Sequence, residues 1–448
     1  MHLQQVATLA LAMGASAFPV AQDDSNVCSL NPFDKGTWWD SGARTYLDKW
    51  FKDHNGDEHN WLYKMDAETT ADGQGNSVLD CTNIEGQGTC GGPEVQCRFF
   101  TPKSYFYIRQ MAAQFNQYMT WAHELLQDYA ISETLGMDAL VDDLNVYVAD
   151  ETAIDNMLRS FAAAFSIGDK ISKQGNGVIG DFFGIFGGIT AIAAANNTPD
   201  EPSVADLKKA VEAWLGKYFW AVRDSITKIT NRMFGGNQLD SGSDILDGLI
   251  EQFQALGIPT DGDSKISKIL SSGAFLEQIS QSDIAAGINA GFTQIKHHLI
   301  GVLFQTSHVF VKGVRMNEPD KYCQSYGDRN INGWCYRLFY LDGNTQKPVD
   351  DGIMEKLEFT YHVDPTAFYT NILRCKNNFD SAPENINPGA DEWGYSPCFF
   401  PINLVEYWEV DCMGSDQGAW PDYYKKWFED ATGGHNQVGP VYCRDGAS

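Results

Sequence analysis

The chain predicts a mainly α protein: a central helical bundle flanked by disulfide-stabilised, loop-rich α+β terminal modules. Three observations predict it. All ten cysteines lie towards the ends, from Cys28 to Cys97 and from Cys323 to Cys443. The cysteine-free centre carries apolar residues at three- and four-residue intervals over long stretches, the period of helices with one buried face. The ends are instead rich in tryptophan and in the glycine and aspartate of turns.

Residues 1–17 read as a secretory signal peptide. The apolar block Val6 to Met13 leads into Ala15-Ser16-Ala17, the A-x-A cleavage pattern, although the segment before it carries His2 and no Lys or Arg. A mature start at Phe18 and a secreted, extracellular location are therefore expected. An even number of cysteines beyond that site fits an oxidising compartment. Cys28, Cys81, Cys90 and Cys97 form one group; Cys323, Cys335, Cys375, Cys398, Cys412 and Cys443 form the other, and spacing selects no pairing in either. With no C-x2-C pair, a cysteine-built zinc site is not expected, and neither a metal nor a cofactor is predicted.

The N-terminal cysteine and aromatic module spans residues 18–101. Asp53-His-Asn-Gly-Asp57 and Ala71-Asp-Gly-Gln-Gly-Asn76 mark turns, and its one clear helix runs from Thr45 to Asp53. The central helical domain spans 102–316. Tyr105, Ile108, Met111, Phe115, Met119 and Ala122 set an amphipathic helix from Pro102 to about Tyr129. Another runs from Ser203, with Asp206 three residues on, to Phe234, where Gly235-Gly236 marks the stop. Shorter and longer helices follow over Ser243 to Leu256 and Ser282 to Val314. The C-terminal cysteine-rich module, 317–448, returns to mixed structure, with strands over Gly333 to Leu341 and Glu355 to His362 and a helix over Asp422 to Asp430. Tyr46-Leu-Asp-Lys-Trp-Phe-Lys-Asp53 and Tyr423-Tyr-Lys-Lys-Trp-Phe-Glu-Asp430 match at several positions, which chance similarity of short amphipathic helices explains, the alternative being terminal modules that are related or pack together.

The opening Asn31-Pro-Phe-Asp-Lys-Gly-Thr-Trp-Trp-Asp-Ser-Gly42, the stretch Cys90-Gly-Gly-Pro-Glu-Val-Gln-Cys97 before Arg98-Phe-Phe100, and the glycine-rich centre together resemble an uncharacterised family of secreted, cysteine-containing fungal proteins. The resemblance covers most of the mature chain. It implies the cell exterior of a filamentous fungus and carries no activity and no site residue.

Charge narrows the function. With 59 acidic against 32 basic residues the formal charge is -27, which opposes binding to nucleic acid and simple adsorption to anionic lipid. After the signal no apolar run reaches the roughly 20 residues that span a bilayer. The C-terminus ends in polar residues without a lipid-anchor signal, so soluble release is expected.

The segment 175–197 holds a single charge, Asp181, and alternates glycine with bulky apolar residues. Such a composition occurs in buried central helices, its commoner role, and also in membrane-inserting hairpins. Phe182, Phe183, Ile185, Phe186, Ile189 and Ile192 are accordingly candidates for contact with a membrane or a protein partner. Asn196-Asn-Thr198 is the sole glycosylation sequon, and a glycan on Asn196 would oppose deep insertion of that end.

His297, His298 and His308, all placed on the helix from Ser282 to Val314, are candidates for a pH switch, because imidazole gains charge near pH 6. Ordinary packed histidines are the commoner explanation. His297 and His308 lie about 16 Å apart along a helix, which excludes a shared metal. Asp53, Asn55 and Asp57 take the first oxygen positions of a calcium loop, but Glu58 and Lys64 stand where glycine and glutamate belong, leaving an acidic turn.

No serine-hydrolase, zinc-protease or phosphate-loop motif is present, so no catalytic residue is named and the balance is against an enzyme. The chain reads best as a secreted effector- or toxin-like interaction protein with a concealed membrane- or partner-binding helical segment. The alternatives are an extracellular polysaccharide hydrolase using two carboxylates, whose spacing a sequence does not reveal, and a non-catalytic cell-wall polysaccharide binder using exposed members of its twelve tryptophans. Oligomeric state is not legible.

Overall fold

A computed structural model describes residues 24–69, 80–84, 90–93, 96–144, 207–235, 244–255, 257–307, 309–315, 323–342, 345–378, 399–400 and 402–408. Among them the chain is largely helical with one small mixed sheet. The helices are α1 (Asp24–Val27), α2 (Thr37–Asp40), α3 (Ala43–Asp53), α4 (Trp61–Thr69), α5 (Ser104–Asp143), α6 (Leu207–Met233), α7 (Ile245–Ala255), α8 (Lys265–Leu270), α9 (Gln281–Thr306), α10 (Asp351–Phe359) and α11 (Pro365–Asn378). The strands are β1 (Val309–Arg315), β2 (Arg329–Ile331), β3 (Trp334–Asp342), β4 (Thr345–Pro348) and β5 (Asn403–Trp408).

The longest element organises the rest. All six apolar residues that set the period of α5, from Tyr105 to Ala122, are buried, and the helix continues past the expected end near Tyr129 to Asp143 over 40 residues, about 60 Å at 1.5 Å per residue. α6, α9 and α3 all pack along it. Residues 24–69 are more helical than the turn at Asp53 to Asp57 suggests. α4 buries Trp61, Leu62 and Met65, and α3 starts two residues earlier than expected, after Gly42 at φ 73°.

α6 ends as its glycines predict. Gly235 sits at φ 78°, and a Cβ there would lie 2.1 Å from the backbone nitrogen of Asn60, so the N-terminal module approaches as closely as only glycine permits. Trp61 Nε1 donates to the Met233 carbonyl across 2.8 Å, satisfying one of the acceptors every helix C-terminus leaves open. Phe51, Trp61, Phe234, Phe115 and Phe275 continue from this contact as a chain of ring pairs from α3 into the helical centre.

Two expectations for the second half are overturned. α9 opens on Ser280, whose hydroxyl accepts from Asp283 N while the Asp283 carboxylate accepts from Ser280 N, but it stops at Thr306 rather than Val314. The next residues, Val309-Phe-Val-Lys-Gly-Val-Arg315, form β1, which satisfies both edges by pairing antiparallel with β3 and parallel with β5. Gln305-Thr-Ser-His308 interrupts the apolar positions for only four residues, too briefly to mark the change of period. The strand expected over Glu355 to His362 is instead α10: the Asp350 carboxylate caps Gly352 N at 2.8 Å, and Met354 and Leu357 are buried three residues apart. Leu357, Phe359 and Tyr361 fall at every second position, an alternation that resembles a strand.

The sheet runs β2-β3-β1-β5, with β4 also on β3. β2 and β3 meet through Asn332-Gly333, both at positive φ, the two-residue turn whose twist suits a hairpin. α9 and α11 pack against the sheet, and β1, from before residue 316, pairs with strands beyond it. Three disulfides brace the described residues: Cys28–Cys97, Cys81–Cys90 and Cys323–Cys335. Asn116 on α5 seats the second by donating to the carbonyls of Cys81 and Asn83. The remaining four cysteine side chains, of Cys375, Cys398, Cys412 and Cys443, lie outside the described residues, as does the helix expected over Asp422 to Asp430.

Gly235→Ala tests the junction between α6 and the N-terminal module. The added methyl meets backbone at both Asn60 and Glu58 and strains a left-handed residue, so unfolding by urea should report a loss of about 3 kcal/mol or more.

Candidate functional site

The membrane- or partner-binding candidates Phe182, Phe183, Ile185, Phe186, Ile189 and Ile192, the sequon at Asn196, and His308 lie outside the described residues. Among the described residues no helix is long and apolar enough to cross a membrane.

His297 and His298 are placed. Both are buried on α9, and each donates a ring N–H to a carbonyl of the C-terminal third: His297 Nε2 to Tyr361 O at 2.6 Å and His298 Nδ1 to Phe399 O at 2.6 Å. Carbonyls only accept, so these contacts fix which ring nitrogen carries the proton in the neutral form. Burial, reinforced by His362 and Lys296 and opposed by the Tyr361 bond, lowers the His297 pKa from 6.5 to about 4. The gain of charge near pH 6 expected for this residue is thereby moved well into the acid range.

The Tyr361 that holds His297 through its carbonyl also holds α5 through its hydroxyl. Tyr361 OH donates to Asp143 Oδ2 at 2.8 Å, and Lys356 Nζ on α10 reaches Asp143 Oδ1 at 2.7 Å. The hydrogen bond from Lys356 holds the Asp143 carboxyl below the ordinary carboxylate range despite partial burial, with the Tyr361 bond assisting. Nothing in the sequence marks this group, because Asp143 is separated from Lys356 by 213 residues and from Tyr361 by 218.

The other polar clusters fasten elements together. Asp66 on α4 and Arg109 on α5 form an ion pair at 3.3 Å with side chains 7% and 1% exposed. Burial pushes the Asp66 carboxyl up against the pull of Arg109 and of the Tyr105 hydroxyl. Arg232 at the end of α6 reaches Glu58 at 2.8 Å and Asp244 at 2.7 Å, while Lys265 holds Asp244 and Asp247. In the sheet module Arg337 joins Asp351 at 3.0 Å to Asp328 at 3.5 Å. Burial also pushes Asp328 up, though Ser325 N donates to it. Both raised carboxyls have the direction a general acid needs, and each contacts a guanidinium, Asp66 that of Arg109 and Asp328 that of Arg337.

Cys323, Asp328 and Cys335 bring metal-type donor atoms within 4.8 Å of one another, but both sulfurs belong to the Cys323–Cys335 disulfide and supply no thiolate. In the acidic turn, Asp53 and Asp57 are engaged by Lys49 and Lys64, so two of the oxygens that suggested a calcium loop are occupied. The tryptophans divide: Trp38, Trp50 and Trp61 are core, whereas Trp39 and Trp220 are exposed. Phe359 at the end of α10 is 67% exposed, with its ring 6.2 Å from that of Tyr326. Tyr326 in turn donates to Glu358.

Comparison of the chain with protein-family models, with curated proteins and with solved structures finds no match.

The buried imidazole makes stability depend on pH. A histidine whose folded-state pKa is depressed contributes no loss above its unfolded value near 6.5, and stability falls as the pH drops from there to about 4. That interval corresponds to about 3 kcal/mol. Urea unfolding measured across it should therefore show a slope that His297→Gln, which keeps a donor for Tyr361 but takes no proton, removes.

Proposed function

We propose that this is a secreted, disulfide-framed interaction protein that acts by contact, in the manner of an effector or toxin, with residues 175–197 as its membrane- or partner-binding element. The observation that carries the reading is the sequence Phe182 to Ala195, fourteen residues without a charge in a chain of formal charge -27, which falls in sequence between α5 and α6. Three disulfides among the described residues support an oxidising exterior, as does the resemblance to secreted fungal proteins.

A second reading, non-catalytic binding of wall polysaccharide, draws on the exposed ring of Phe359 beside Tyr326, since an aromatic face flanked by hydrogen-bonding groups suits a sugar ring. It predicts retention on insoluble polysaccharide that weakens in Phe359→Ala.

The primary test is dye release from liposomes by the mature protein at pH 7, 5 and 3.5. Release that disappears in a folded Phe182→Asp/Ile185→Asp variant is the expected result. No release at any of the three pH values would remove the membrane version and leave a protein partner for the segment.

A further inference from the structure

We propose that Asp143, Lys356, Tyr361 and His297 form an acid-labile clasp that fastens the C-terminal end of α5 to α9 and α10. Three separate parts of the chain meet there. Asp143, the last residue of α5, accepts from Lys356 Nζ on α10 at 2.7 Å and from Tyr361 OH on the following turn at 2.8 Å. Tyr361 O accepts from His297 Nε2 on α9 at 2.6 Å. The turn itself is tight: Tyr361 N and Thr360 N both donate to Lys356 O, and His362 stands at φ 57°. Tyr361 is thus held through its hydroxyl to α5 and through its carbonyl to α9.

The charges around the clasp make acid its solvent of release. With Nε2–H committed to Tyr361 O, an added proton goes to Nδ1 of a ring that is buried. The resulting cation lies beside Lys296 of its own helix and His362 of the turn. Lys356 adds a further positive charge from α10. Among the described side chains, the acidic groups in the last turn of α5 are Asp142 and Asp143, and Asp143 bonds to Lys356 and Tyr361. His297 gains its proton near pH 4. Asp143, kept low by Lys356, gives way further down, and its neutral form surrenders the ion pair. Opening the junction lets His297 take its proton at the ordinary value near 6.5, so the clasp weakens progressively as the pH falls from there to about 4, and loss of the Asp143 charge weakens it further.

The clasp rests on the proposed function only for its consequence: residues 144–206, which contain the apolar segment, follow Asp143 directly in the chain.

Amide hydrogen exchange of the whole mature protein at pH 7, 5 and 3.5, corrected for intrinsic rates, tests it. Protection in residues 136–143 and 351–362 is expected to fall progressively, at least about tenfold between pH 7 and 3.5, while the Trp61 and Met233 contact stays protected. His297→Gln should keep most of that protection at pH 3.5. Should that variant not fold, Lys356→Gln, at a site 46% exposed, decides: it should lower protection of 136–143 already at pH 5. Unchanged protection at pH 3.5, a loss spread evenly over the protein, or a decisive variant whose profile superimposes on the wild type would each overturn the clasp. The two proposals fail separately. Local opening without dye release removes the membrane version alone, and dye release without local opening removes the clasp alone.

Discussion

The contact on which the described fold depends is the seating of residues 58–61 against the end of α6. Four interactions of different kinds converge there. The Trp61 indole satisfies the Met233 carbonyl, and Gly235 lets two backbones approach within the radius of a methyl group. Arg232 joins Glu58 to Asp244, and Glu58 also accepts from the first N–H of α8. Removing Arg232 would leave two carboxylates facing each other with one cation fewer, the circumstance in which breaking a partly buried pair costs most. Because α6 packs along α5 and α5 along α3 and α9, the N-terminal helices and the helical centre share one core, with the ring chain from Phe51 to Phe275 running through it.

Scarcity of positive charge shapes the polar architecture. With 32 basic residues for 59 acidic ones, a folded chain brings carboxylates together more often than it can separate them. Several cations accordingly serve two acids each: Arg232 holds Glu58 and Asp244, Lys265 holds Asp244 and Asp247, and Arg337 holds Asp328 and Asp351. Such bridges keep Asp244 ionised into the acid range, and the hydrogen bond from Lys356 does the same for Asp143. The fold is therefore sensitive to low pH at defined junctions, and His297, neutral and buried between Lys296 and His362, adds to that sensitivity from the opposite direction of charge.

Much of the candidate chemistry was legible as residue type and illegible as environment. His297 and His298 stood out on an apolar helix, but only burial and the carbonyls of Tyr361 and Phe399 determine when His297 titrates and which nitrogen is committed. The tryptophans stood out by number, yet Trp38 and Trp39 are neighbours with opposite fates, one fully buried and one exposed. Asp143, Lys356 and Tyr361 carried no signal at all, since an ion pair closed over 213 residues leaves no spacing to read.

The sequence by itself determined the largely helical character of the chain, the buried stripe of α5, the glycine stop of α6 and the start of α9, because these follow from side-chain period and from local capping chemistry that operate within a few residues. The tertiary structure decided what depends on distant partners. Val309 to Arg315 became a strand because β3 and β5 satisfy its two edges, and the apolar positions of α10 became a helix face because a core lay beside Met354 and Leu357. Disulfide partners among the described cysteines, and the shift of His297 to about pH 4, likewise came from the fold, since proximity in space and loss of water around a side chain are set only when remote segments pack together.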